Sequence, residues 1–196
     1  MYICVFCSSS NALAEIYFEQ ARDLGKQIGD GGHTLVYGGA NVGLMQAVAQ
    51  SVKESGGLSL GIIPELIHNK SLSSGTDSEQ IITANMRDRK YLMRKRSDAF
   101  IALPGGFGTL EEILEVITLK QLHYHQKPIV FINTNGFYNP LLDQFERCYS
   151  ESFSKLAYKS LYYIAANCSY AMNYISNYKH EELTAKWFDV PQTPQW

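Results

Sequence analysis

A chain of 196 residues with 45% hydrophobic and 18% charged residues can bury an ample core in a single domain. Its formal net charge of −2 excludes the basic surface that bulk nucleic-acid binding needs. No apolar run reaches the roughly 18 residues of a helical membrane span.

Tyr2 to Cys7 reads as a first strand, entered without a basic leader, so no signal peptide is expected. Four cysteines (Cys4, Cys7, Cys148, Cys168) fit free thiols in a reducing compartment, and the cytoplasm is the expected location. Cys4 and Cys7 form a C-x-x-C, but positions i and i+3 of a strand face opposite ways, so the pair reads as core thiols. Ser8 to Asn11 is a polar turn able to cap a helix from Ala12 to Gly29. Thr34 to Tyr37 is a second strand, followed by the glycine turn Gly38-Gly39-Ala40-Asn41-Val42-Gly43 and a helix from Leu44 to Lys53. Leu58 to Ile63 is a third strand, closed by Pro64. Glu65 to Glu79 shows no period and reads as a loop; Gln80 to Thr83 is a short strand and Asn85 to Arg96 a basic helix. Ala99 to Leu103 is a buried strand running into Pro104-Gly105-Gly106-Phe107-Gly108, with a helix expected from Thr109 to His123. Pro128 to Ile132, a turn at Asn135-Gly136, a helix from Phe137 to Ser150, a strand at Leu161 to Ala165 and a helix from Ser169 to Tyr178 complete the pattern. The last ~20 residues, with Trp187 and Trp196, show no period and read as an irregular tail of the same domain.

Strands alternating with helices imply an α/β fold: a Rossmann-like, doubly wound parallel sheet with helices on both faces. Ligands of such sheets sit beyond the strand carboxyl ends, where both glycine turns lie. The turn at 104–108 followed by a helix start presents backbone N–H groups to an anion, most often a phosphate. Three familiar motifs fail. The P-loop lysine is missing after Gly43, a dinucleotide fingerprint meets Ala40 instead of glycine, and no G-x-S-x-G is present.

Thr109 and Glu112 fit a capping box; for Thr109, capping and phosphate contact are compatible. Glu112 is a poor choice for a cap beside a phosphate, which would repel it, so a positive task is expected, such as facing a sugar that becomes cationic. Glu111 is the rival carboxylate. Met86, Arg89, Lys90 and Met93 share one helical stripe, which turns two cations toward the protein or a cleft. His123 and His125 diverge at a helix end, and no cluster has metal-ligand spacing, so no metal and no cofactor is expected.

Met86-Arg87-Asp88-Arg89-Lys90 followed by Pro104-Gly105-Gly106-Phe107-Gly108-Thr109-Leu110-Glu111-Glu112 resembles the LOG family, whose signature is P-G-G-x-G-T-x-x-E with an upstream Arg-Lys. Val5-Phe6-Cys7, Tyr37-Gly38-Gly39, Gly43-Leu44-Met45, Lys127-Pro128 and Gly136-Phe137-Tyr138 extend the likeness. These are cytokinin riboside 5′-monophosphate phosphoribohydrolases, long labelled lysine decarboxylases; this chain offers no recognisable pyridoxal-phosphate lysine context. The resemblance implies a Rossmann-like homodimer that hydrolyses a nucleoside 5′-monophosphate, AMP-like or N6-prenylated, to free base and ribose 5-phosphate. It implies Arg89 and Glu112 as the catalytic pair. It places Lys90, Gly105, Gly106, Phe107, Gly108, Thr109, Leu110, Glu111, Thr118, Gly38, Gly39 and Ser8 at the nucleotide. Ser8, Ala40 and Gln46 stand where the family has glycine, and side chains there are expected to narrow the phosphate or sugar pocket. Ser71 stands where many members carry an acid. The alternative left open is a non-catalytic nucleotide or molybdopterin carrier on the same fold; the presence of both Arg89 and Glu112 favours the enzyme.

Overall fold

The computed structural model describes residues 1–70, 72–73, 75 and 77–180. Short apolar runs become the strands β1 (Tyr2–Phe6), β2 (Thr34–Tyr37), β3 (Leu58–Pro64), β4 (Glu79–Thr83), β5 (Ala99–Ala102), β6 (Ile129–Ile132) and β7 (Tyr163–Ala165). They pair in one parallel sheet of order β4-β3-β2-β1-β5-β6-β7, with Cys4 beside Val36 and Val5 beside Ile101. Winding reverses between β1 and β5, so their carboxyl ends form the crevice where this kind of sheet takes a ligand.

Helices α1 (Glu15–Asp30), α2 (Gly43–Glu54) and α7 (Cys168–Ser176) cover one face, packing Leu24, Leu44 and Ala171 on Ile3, Val5 and Tyr37. On the other face lie α4 (Met86–Arg96), α5 (Phe107–Gln121) and α6 (Asn139–Ser150), with Met93, Ile113 and Val116 against Cys4, Phe6 and Phe100. Both faces of each inner strand are therefore apolar, as a doubly covered parallel sheet requires. Cys4 and Cys7 fall in opposite cores, and all four cysteines are free.

Three expectations are corrected. The stretch 65–79 is not wholly irregular: Glu65–His68 forms a single helical turn, α3, too short to leave a periodic signal. Residues 8–11 do not cap α1, which starts later at Glu15 behind an Ala14 that offers no side-chain cap. Instead Asn11 Oδ1 accepts the Gly43 N–H at 2.8 Å and the Ser8 carbonyl accepts the Leu44 N–H at 2.9 Å, so this loop caps α2. Near the end, the chain enters β7 only at Tyr163, after a 3-10 turn at Leu156–Leu161. Trp187, Trp196 and the rest of the tail lie outside the described residues, as does Ser71.

Candidate active site

At the switch point the carboxyl ends of β1, β2 and β5 open into a cleft of about 720 Å³. α5 forms one wall. Its first helical residue is Phe107 and its N-cap is Gly106, with no side-chain cap. The capping-box reading of Thr109 is thus corrected: Thr109 sits inside the first turn, 4% exposed, and folds back over Gly105, where an added Cβ would come to 2.6 Å of the Thr109 Cβ. A helix start whose N–H groups lack a side-chain acceptor, edged by glycines, is a seat for an anion. By contrast α4 and α7 are capped by Asn85 and Asn167.

Beside this seat lies a buried ion pair. Arg89 Nη1 donates to Glu112 Oε1 at 2.5 Å, and Arg89 Nε donates to the Ile62 carbonyl at 3.1 Å. The two side chains are 9% and 11% exposed. Gly38 makes room for the guanidinium: a Cβ there would overlap Arg89 Nη2 and come to 2.9 Å of Met45 Sδ. Burial pushes the Glu112 carboxyl above its ordinary pKa of 4.5, and Arg89 opposes that rise by attracting the carboxylate. Arg89 thus touches the end of β3, the turn after β2 and the first turns of α5 at once.

The structure gathers Ser8, Gly38, Arg89, Gly106, Phe107, Gly108, Thr109 and Glu112 around the cleft. Gly39 turns the chain behind it with φ 69°, and Gly105 is the floor under Thr109. Lys90 is not brought in. It pairs with Glu111 and, at 3.4 Å, with Glu115 on the flank of α4 and α5, rotated about 100° from Arg89 on its helix. Leu110 and Glu111 also lie outside the lining, and Thr118 is exposed further along α5 with its hydroxyl on the Leu114 carbonyl. Of the three departures from family glycines, Ser8 and Ala40 border the cleft while Gln46 is exposed on the outside of α2, so it narrows nothing.

Several cleft residues were missed by sequence reasoning. Ile67 and Leu72 form an apolar wall from a stretch without period, and Val42 and Met45 add to it. Met86 and Met93, from the basic helix, join Arg89 there as their stripe suggests. Among the described residues no cluster of three His, Cys, Asp or Glu is arranged to hold a metal, and no helix is long and apolar enough to cross a membrane. A second cavity, about 530 Å³, opens on another flank beside Lys120, Tyr170 and Tyr174.

A family model described as possible lysine decarboxylase matches residues 45–175. The chain is 42% identical over 177 residues to cytokinin riboside 5′-monophosphate phosphoribohydrolase LOG5 of Arabidopsis thaliana, covering 90% of this chain and 78% of that one. To probable cytokinin riboside 5′-monophosphate phosphoribohydrolase LOGL2 of Oryza sativa subsp. japonica it is 39% identical, over 94% of this chain and 76% of the relative. The solved molybdenum cofactor carrier protein of Chlamydomonas reinhardtii is similar with TM-score 0.69 and 26% identity, over 89% of this chain and 95% of that one. Identity of this order across nine-tenths of the chain, with the family model spanning α2 through most of α7, makes the chain a member of the LOG family.

Proposed function

We propose that this chain hydrolyses the N-glycosidic bond of a purine nucleoside 5′-monophosphate, a cytokinin riboside 5′-monophosphate or its AMP-like parent, to free base and ribose 5-phosphate. The observation that carries the proposal is the buried Arg89–Glu112 pair next to the uncapped start of α5. The 5′-phosphate binds the N–H groups of Gly106 to Thr109, where the helix dipole favours negative charge. Arg89 holds Glu112 in place and ionised against the cost of burial. As the C1′–N bond breaks, positive charge grows on the ribose ring. The Glu112 carboxylate stabilises it or aligns the attacking water, whose oxygen ends on C1′ and whose proton accompanies the leaving base. Ser8 borders the sugar-phosphate end. The apolar wall of Ile67 and Leu72, in the same cleft, receives the base.

Glu112→Gln is the direct test. The amide oxygen still accepts from Arg89, but the charge is gone. Base release from AMP and from isopentenyladenosine monophosphate should fall at least about 100-fold in chains that still melt cooperatively, with a lowered melting temperature because Arg89 keeps its place without a counter-charge; unchanged turnover would remove Glu112 from the chemistry. The carrier reading rests on the likeness to the molybdenum cofactor carrier. Detection of free base after incubation with nucleotides separates the two.

A homodimer is part of the same reading. Its support is the apolar side of α5 and α6, where Leu110, Leu114, Ile117, Leu141, Leu142 and Phe145 are only partly buried. Thr118, exposed on that side, belongs to the nucleotide site only through such a pairing, and Lys90 only if its ion pairs with Glu111 and Glu115 open. Light scattering of the purified chain measures the mass. The cytoplasm is the proposed location, supported by four unpaired thiols.

A further inference from the structure

Four charges bridge α4 and α5 on the flank beside the cleft. Lys90 pairs with Glu111 and, at 3.4 Å, with Glu115, while Arg94 Nη1 donates to Glu115 Oε2 at 2.7 Å. Two cations meet two carboxylates, so the cluster is neutral as a whole. Ion pairs this open to water add little to stability: Glu111 is 56% exposed and Lys90 20%. Their place matters more. Glu111 stands directly before Glu112, one turn into α5 from the uncapped N–H groups that seat an anion. Left alone, its carboxylate would draw on the same helix dipole and repel an arriving phosphate. It would also act on Glu112. Burial is the main push on the Glu112 carboxyl and Arg89 the main restraint; after them, Glu111 raises its pKa further and Lys90 lowers it. Among the described residues, the groups that act on Glu112 are Arg89 and Lys90 from α4, Glu111 on its own helix, and Cys4 and Cys7 in and after β1, whose thiols burial keeps protonated. The hydrogen bond to Glu111 raises the Lys90 pKa above its ordinary 10.5, so this cation is permanent at working pH.

We propose that Lys90 is a positioning residue that serves the substrate without touching it: it cancels the charge of Glu111 and so leaves the phosphate seat at the start of α5 electropositive. The proposal rests on the nucleotide reading above. The neighbour of Arg89 in sequence then acts on the same phosphate from the flank, through Glu111. Glu115 has Arg94 as a second partner, so removing the Lys90 ammonium strips Glu111 alone.

The test is calorimetric binding of ribose 5-phosphate and of AMP to the full chain at low salt. The cluster is neutral in the wild type, one unit negative in Lys90→Met, one unit positive in Glu111→Gln and neutral again in the double variant. Affinity for ribose 5-phosphate should follow that order: about three- to fivefold weaker in Lys90→Met, about twofold tighter in Glu111→Gln, and within about 1.5-fold of wild type in the double variant, with AMP moving alike. Lys90→Gln, equal in charge to Lys90→Met, should match it. The differences should vanish at about 1 M salt, where screening acts over about 3 Å. The acid limb of base release should move to higher pH in Lys90→Met and return in the double variant. A double variant that binds as weakly as Lys90→Met would mean that the lysine meets the phosphate itself, and would overturn the proposal. Losses that persist at high salt, as altered packing would give, or wild-type affinity in all variants that melt cooperatively, would overturn it too. A wild-type chain that binds both ligands yet releases no base would defeat the proposed activity and leave the charge rule to be judged on these affinities. Failure to bind either ligand would overturn both.

Discussion

Replacing Gly38 by alanine should disable the site chiefly through Arg89. The backbone at Gly38 does not lie at positive φ, so alanine brings no conformational strain, only a methyl group. That methyl overlaps Arg89 Nη2. The guanidinium cannot slide aside in place, because Nε is held by the Ile62 carbonyl at 3.1 Å and Nη1 by Glu112 at 2.5 Å. It must leave, and Glu112 is left buried without its cation. Breaking a buried pair costs about 3–5 kcal/mol; a flexible Arg that escapes to water, and a carboxyl that takes up a proton, bring the expected loss to the lower end. Activity should fall on the order of 100- to 1,000-fold, since Glu112 loses the cation that holds its carboxylate in place and favours its ionised form. Base release from AMP and urea denaturation read the two effects. In an Arg89→Ala background only the flexible end of Met45, 2.9 Å from the new methyl, has to shift, so adding Gly38→Ala should cost no more than about 1 kcal/mol. A full cost in that background, or wild-type activity in Gly38→Ala itself, would refute the argument.

Other predictions follow from single groups. The acid limb of kcat/KM should lie above the ordinary glutamate pKa of 4.5, because burial raises Glu112 and activity needs its carboxylate; a pH–rate profile measures it. His125 Nε2 donates to the Val116 carbonyl at 2.9 Å and its Nδ1 accepts from the Lys127 N–H at 3.2 Å, and burial lowers its pKa from 6.5 to about 4. The folded state keeps it neutral while the unfolded chain binds a proton, so stability is intact above pH 6.5 and declines as pH falls toward about 4. After allowance for its partial exposure the loss is about 1–2 kcal/mol, seen as a shift in urea midpoint that His125→Gln abolishes. Thr134→Val should stabilise the fold by about 1 kcal/mol in the same assay, since the Thr134 hydroxyl is buried without a partner and valine has its shape.

Much of this architecture was legible because it is periodic. Apolar runs and glycine turns located six strands within a residue and the seventh within two, and the divergence of Cys4 and Cys7 followed from strand geometry alone. The site was legible where a motif keeps its chemistry local: Gly106 to Thr109 at a helix start, and Glu112 one turn on. What failed was the role of each position. The Thr109-x-x-Glu112 spacing records two side chains three residues apart on a helix and cannot tell an N-cap from an interior turn. Glu112 is turned inward by Arg89, 23 residues away, and no local rule registers that. The same holds for Asn11 capping a helix that starts 32 residues further along, and for Leu72 and Asp77, whose contacts come from a crossover without repeat. Lys90 looked equivalent to Arg89 in a stripe, yet one step of helical rotation commits it to Glu111.

The loop after β1 has a consequence for charge counting. By handing the Asn11 side chain and the Ser8 carbonyl to the first N–H groups of α2, the chain fills one of the two helix ends that look into the crevice. A ligand arriving there finds one vacant electropositive terminus, at α5, not two. Under the proposed function, a single phosphate is therefore expected to bind in preference to a diphosphate or a dinucleotide, the protein acting as its own competitor with no repelling residue needed.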